Sequence, residues 1–204
     1  MNVIPFQVMR FTFPIMFLIA LLCGVAAAQD PPPPVKEYSE TAWKEFKSTE
    51  GRFSIALPGT PKEEVSTQDT KIGKLTVHYF NLETDLGHYL LTYVDVTYSP
   101  TTPEDTKAAL DSARDQALAA GARRLLESEI SVAGVVGREL LVEQNGLIVK
   151  ARFFFVKERL YQIILATRPN TVFSNGKPSS DPANYTELFQ SVSKKLFDSF
   201  KVTE

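Results

Sequence analysis

Apolar, aromatic and β-branched residues are densest, beyond the N-terminus, in LIVKARFFFVKERLYQIILAT, residues 147–167. The run predicts two long strands folded back at Lys157-Glu158. Side chains alternate across a strand, so Phe153 and Phe155 face one way and Phe154 the other, with Tyr161. Strands apolar on both faces need cover on both, and the remaining segments predict what covers them.

GRFSIALPGTP (51–61) alternates with period two, with Phe53, Ile55 and Leu57 on one face, until Pro58-Gly59 and Pro61 stop it. The preceding residues 35–50 carry Tyr38, Trp43 and Phe46 among charges, a lead-in whose aromatics pack on the domain edge. KLTVHYFNLET (74–84) and HYLLTYVDVT (88–97) predict a hairpin around Asp85-Leu86-Gly87. Pairing Glu83 with His88 gathers Leu75, Val77, Tyr79, Leu90, Val94 and Val96 on one face. Phe80, Leu82, Tyr89, Leu91 and Tyr93 then share the other, so this hairpin too is covered on both sides.

A helix follows, capped by Thr102, with Pro103 in its first turn and Glu104 and Asp105 at its positive end. Its stripe is Thr106, Ala109, Leu110, Ala113 and Ala117, and Gly121 ends it. Residues 123–132 and 135–144 predict two more strands about Ala133-Gly134, and Asn145-Gly146 turns the chain into the dense hairpin. The Lys157-Glu158 turn is weaker, because a tight turn there wants residues that tolerate positive φ; a longer loop is the alternative. Residues 168–182 read as one long loop, either mobile or functional. ANYTELFQSVSKKLF (183–197) predicts an amphipathic helix with Tyr185, Leu188, Phe189, Val192 and Leu196 as its stripe and Lys194-Lys195 at its negative end. Consecutive hairpins and two separated helices predict an α+β fold. A mainly antiparallel sheet of about six to seven strands carries helices on both faces, an α/β/α sandwich.

The N-terminus stands apart from this pattern. Arg10 is the only charge before Asp30, FTFPIMFLIALLCGVAAA (11–28) is apolar apart from Thr12, and Ala26-Ala27-Ala28 supplies small residues. That is the form of a secretory signal peptide over 1–28, cut between Ala28 and Gln29. The alternative is a retained membrane anchor through 11–28, since 18 apolar residues approach the span of a bilayer. Cys23 follows Leu22 rather than a small residue, so it does not read as a lipidation site. Residues 29–37 are a linker whose Pro31–Pro34 run favours an extended spacer. A single domain fills 38–204.

Composition narrows the function. Cleavage would remove 28 of 204 residues, leaving 176 without the one cysteine, so thiol catalysis and disulfides leave the picture. Removing Arg10 takes the basic count from 22 to 21 against 24 acidic side chains, a net charge near −3. A nucleic-acid surface would be basic and clustered, so no nucleic-acid partner is expected.

GRFSIALPGTP after an aromatic lead-in, a hairpin ending YVDV, the helix PEDTKAALDSARDQALA, and GREL…ARFFFVKERLYQIILA before LFDSF together resemble the PsbP-like fold. Within it the chain is similar to uncharacterised secreted bacterial proteins, over roughly residues 40–200. PsbP itself is an extrinsic subunit of photosystem II, but no metal-binding or photosystem-docking motif matches, and no functional residue is carried over. The resemblance implies a non-enzymatic accessory or binding domain.

Motifs for chemistry are sparse. The two histidines, His78 and His88, fall on opposite faces of their hairpin, and His88 beside Glu83 reads as a cross-strand pair. Metal-binding spacings, phosphate loops, dinucleotide glycines and the G-x-S-x-G nucleophile turn are absent from the sequence. No cofactor is expected, and hydrolysis by scattered carboxylates has no positive signal. Asn184-Tyr185-Thr186 fits a glycosylation acceptor, silent in a bacterial setting. The expectation is therefore an exported, periplasmic or extracellular accessory protein, not an enzyme. It binds a protein or cell-envelope partner through the long loop, at Asn170, Phe173, Asn175 and Lys177. A second reading is a small-molecule or lipid carrier, its pocket between sheet and helix lined by Phe153, Phe155, Ala113 and Ala117.

Overall fold

A computed structural model describes residues 39, 42–70, 73–96, 100–119 and 121–203. The leader 1–28 with its Ala28-Gln29 junction and the linker 29–37 lie outside the described residues.

The strands, in chain order, are β1 (Lys44–Ser48), β2 (Phe53–Leu57), β3 (Lys62–Thr70), β4 (Gly73–Thr84) and β5 (Gly87–Asp95). After helix α1 (Pro103–Ala119) come β6 (Arg123–Val132), β7 (Val135–Gln144), β8 (Leu147–Val156) and β9 (Arg159–Thr167). The short helix α2 (Pro169–Val172), helix α3 (Glu187–Phe197) and β10 (Lys201–Val202) complete the chain. Seven strands form one antiparallel sheet in the order β3-β4-β5-β9-β8-β7-β6, and β1, β2 and β10 form a second sheet of three.

The dense hairpin of the sequence is β8–β9, at the centre of the large sheet, and every residue of β9 is buried. β4 and β5 pair with Glu83 opposite His88, and that register divides their side chains as the sequence predicts. Leu75, Val77, Tyr79, Leu90, Val94 and Val96 join one core cluster, to which α1 contributes Leu110, Ala113 and Ala117. Phe80, Leu82, Tyr89, Leu91 and Tyr93 join a second cluster. There they meet β2 (Phe53, Ile55, Leu57) and α3 (Phe189, Val192, Leu196, Phe197). This face is thus covered by strands as well as a helix, a layer that helix periodicity alone does not disclose. The α1 cap forms in both directions: Asp105 N–H donates to Thr102 Oγ1 (3.1 Å) and Thr102 N–H to Asp105 Oδ2 (3.2 Å).

Several local expectations are corrected. The lead-in contains a strand, β1, which pairs with β2 and sets Phe46 against Phe53 and Phe80. KEEVSTQDT (62–70) is a strand although its apolar content is one valine. As the sheet edge it needs only β4's backbone for its ladder, and Val65 is 61% exposed. The Lys157-Glu158 connection is a two-residue turn, not a longer loop: Val156 pairs with Arg159, and Lys157 adopts φ +55°. Residues 168–182 are not structureless, since α2 and a 3₁₀ turn at Pro182–Asn184 lie at their two ends. The last helix begins at Glu187 rather than 183, and Leu188 is 40% exposed instead of joining the buried stripe. Phe189, Val192, Ser193, Leu196 and Phe197 recur at three- and four-residue spacing, and Leu188 lies about 100° of helix rotation away from Phe189.

Candidate functional site

The segment 168–186 leaves the sheet at the end of β9 and returns to α3. Pro169 opens α2, whose missing N–H costs nothing at a helix start. Val172 and Phe173 then turn inward, and Phe173, at 1% exposure, packs edge-on against Tyr185 with ring centroids 5.7 Å apart. The two ends are tied by a Phe173–Tyr185 bridge, by Ser174 N–H to Asn184 O (2.8 Å) and by Thr186 N–H to Val172 O (2.8 Å). Thr186 Oγ1 donates to Thr171 O (2.5 Å) and accepts from Phe189 N–H (3.1 Å), closing the loop and capping α3 with one hydroxyl.

Between these ties the loop is built from short side-chain-to-backbone turns. Lys177 N–H donates to Asn175 Oδ1 (2.9 Å), Asp181 N–H to Ser179 Oγ (3.0 Å) and Ala183 N–H to Asp181 Oδ1 (2.9 Å). Asn184 Nδ2 reaches the same Ser179 Oγ at 3.1 Å. Gly176 takes φ +66°, the left-handed conformation a glycine adopts without strain. Of the four residues singled out in the sequence, Asn170, Asn175 and Lys177 are exposed. Phe173 is not: it is an anchor of the loop, unable to touch a partner in this conformation. Tyr185 and Thr186, which the sequence pattern places in the last helix, are anchors of the loop instead. The Thr186-to-Phe189 spacing of a cap before an apolar stripe is the signal that would have separated them.

Phe153, Phe155, Ala113 and Ala117 are brought together, but as members of one packed core cluster. Phe155 also borders a groove of about 590 Å³ with Thr102, Pro103, Val135, Val136 and Lys157. His78 and His88 lie on opposite faces. His78 stacks on Tyr93 with centroids 4.3 Å apart, and His88 Nε2 meets Asn81 Oδ1 at 3.1 Å. Burial lowers the His88 pKa against the opposing charge of Glu83, which keeps the ring neutral at neutral pH. Among the described residues no three His, Cys, Asp or Glu side chains cluster to hold a metal ion, and no helix is long and apolar enough to cross a membrane.

One ionic cluster joins α1 to the sheet. Arg138, buried on β7, donates to Asp111 and to Glu127 Oε1 (2.9 Å), and Glu127 also accepts from Arg114 (3.0 Å) and Arg124 (2.5 Å). Burial alone would raise the Glu127 carboxyl; the surrounding arginines bring it below its ordinary value. A carboxylate held ionised by three guanidinium groups is a poor proton donor, so this cluster is a clamp on α1.

No family model matches the chain, and no curated protein matches it. Among solved structures it is similar to cyanobacterial PsbP (CyanoP) from Synechocystis sp. PCC 6803, with a TM-score of 0.50 and 13% identity over 85% of this chain and 99% of that one. The chain has a PsbP-like fold. A protein of unknown function from Pseudomonas aeruginosa matches at a TM-score of 0.33 and 9% identity, over 63% of this chain and 84% of that one, too distant to carry an argument. At 13% identity the likeness extends to the fold alone.

Proposed function

We propose that this PsbP-like domain is an exported, non-enzymatic accessory protein of an uncharacterised bacterial branch of the fold. The exposed residues of its 168–182 loop bind a protein or cell-envelope partner. The observation that carries this reading is the construction of the loop. Its ends are fastened by buried Phe173, the Phe173–Tyr185 bridge and Thr186, while Asn170, Asn175 and Lys177 stand in solvent. A pre-ordered polar loop on a rigid sheet loses little conformational entropy on docking, which is the economy a recognition loop needs.

The leader at 1–28, read as a cleaved signal peptide, supports export. The PsbP-like fold, a large antiparallel sheet backed by a smaller one, supports a frame whose exposed loops do the recognising. Removing 171–180 whole is a poor test, because it deletes Val172 and Phe173 from the core. The test is the triple variant Asn170→Ala, Asn175→Ala, Lys177→Ala, compared with the parent in capture from the native envelope. The reading expects one stoichiometric component with the parent and its loss in a variant that remains folded, with a melting temperature only slightly lowered; equal recovery by both counts against the loop.

A further inference from the structure

A second feature lies beside the loop, between α3 and the sheet. A groove of about 400 Å³ is lined by Lys150, Arg152, Tyr185, Ser193, Lys194 and Asp198, among others. Lys150 and Arg152 are two residues apart on β8 and so project from the same face, where both lie over the ring of Phe197, 5.3 and 5.2 Å from its centroid. They share a single carboxylate, Glu139 on β7. Lys150 Nζ lies 3.3 Å from Oε1, and Arg152 Nε donates to Oε2 at 2.6 Å. Arg152 Nη1 also reaches Asp198 Oδ1 at 3.1 Å. Lys194, exposed on the last turn of α3, adds a third cation, so three positive groups face two carboxylates.

Two hydroxyls belong to lining residues, their oxygens just beneath the groove surface and closed to solvent. Ser193 is 4% exposed, and its Oγ has no hydrogen-bond partner among the described residues; the buried Oη of Tyr185 has none either. A buried polar group left unpaired costs about 1–3 kcal/mol, so two in one groove are a standing deficit. Burial pushes the Tyr185 hydroxyl above its ordinary pKa, and the charges of Glu139 and Asp181 push the same way, so it remains a neutral O–H donor. Hydroxyl donors beside an excess of cations match the acceptors and charge of an oxyanion.

We propose that this groove is an oxyanion site, binding the carboxylate or phosphate of an organic ligand through the cations Lys150, Arg152 and Lys194, with the unpartnered Ser193 and Tyr185 hydroxyls turning out to donate to it. The site rests on its own lining and not on the loop's partner, so either proposal can fail without the other. The experiment is a titration of the labelled full domain, following backbone amide shifts, with succinate, inorganic phosphate and sodium chloride at matched ionic strength.

The expected result is saturable shifts confined to 150–152 and 190–194 with succinate or phosphate and none with chloride. The saturating probe identifies the carboxylate or the phosphate as the ligand's anion. Tyr185→Phe with Ser193→Ala should weaken that binding at least about tenfold, a hydrogen-bond loss of about 1.4 kcal/mol. Lys194→Ala, a surface change that leaves the fold intact, should weaken it about threefold to fivefold. Shifts that never saturate, that chloride reproduces, or that persist undiminished in Lys194→Ala and the double variant would overturn the site.

Discussion

Arg159 and Asp95 stand opposite each other across the β5–β9 ladder, and the guanidinium donates from Nε and Nη2 to the two carboxylate oxygens at 2.5 and 2.6 Å. Its remaining nitrogen, Nη1, donates to Glu50 O at 2.7 Å, and its Cζ lies over the Tyr93 ring, 4.2 Å from the centroid. Tyr161 Oη donates to Gly51 O at 2.8 Å. One buried arginine and one tyrosine thus fasten the β1–β2 turn, and with it the small sheet, to the middle of the large one.

That pairing sets a pH dependence. The hydrogen bond and charge of Arg159 hold the Asp95 carboxyl below its ordinary value. A lowered folded pKa contributes stability above the unfolded value of about 3.9 and loses it as pH falls through the folded value. Asp95→Asn should therefore cost about 1–2 kcal/mol at pH 7, a figure kept small because the carboxylate is half exposed. Urea unfolding at pH 7 and pH 3 checks it: the gap between parent and variant should narrow at pH 3, and a constant gap would mean that the ionisation of Asp95 contributes nothing to stability.

Gly137 sits where β7 passes the aromatic end of β8. A Cβ there would meet Phe153 O and the Phe154 ring, each at 2.6 Å. Gly137→Ala is expected to destabilise by about 2–3 kcal/mol through forced displacement of the ladder. Gly134→Ala, with open space around it but φ +83°, should cost about 1 kcal/mol from backbone strain alone. Paired denaturation curves read the difference, and equal costs would remove the steric argument.

Lys157 holds φ +55° in the tight turn of the central hairpin. Asparagine enters that region more readily, so Lys157→Asn should raise stability by about 0.5 kcal/mol. A fall in melting temperature would show that the lysine side chain has a compensating role.

Phe173 and the exposed loop residues should separate cleanly. Phe173→Ala is expected to cost about 3–4 kcal/mol as a core truncation. Asn175→Ala, which loses one turn hydrogen bond to Lys177 N–H, should cost no more than about 1 kcal/mol. Calorimetry of the two variants checks this, and similar melting temperatures would contradict the anchor assignment.

How much of this was legible in the sequence depends on how a residue is held. The β4–β5 register and its two faces were readable because alternation over eleven residues admits one register that buries both apolar sets. β3 was not, because an edge strand is specified by its neighbour's backbone, and the side chains of residues 62–67 face water. The Phe173–Tyr185 bridge and the Arg159 clamp were hidden for another reason. Each joins residues whose meeting depends on the assembled sheet, 12 positions apart for the first and 64 for the second pair, Asp95–Arg159. Phe173 therefore looked like a loop aromatic until its partner was placed.

The most direct test of the binding account is site-specific photocrosslinking in the native envelope. The crosslinking side chain replaces Lys177 in one protein and Glu104, on the first turn of α1, in another. The account predicts one discrete adduct from position 177 and none from 104. No adduct at 177, or the same adduct from both positions, would contradict recognition through the loop.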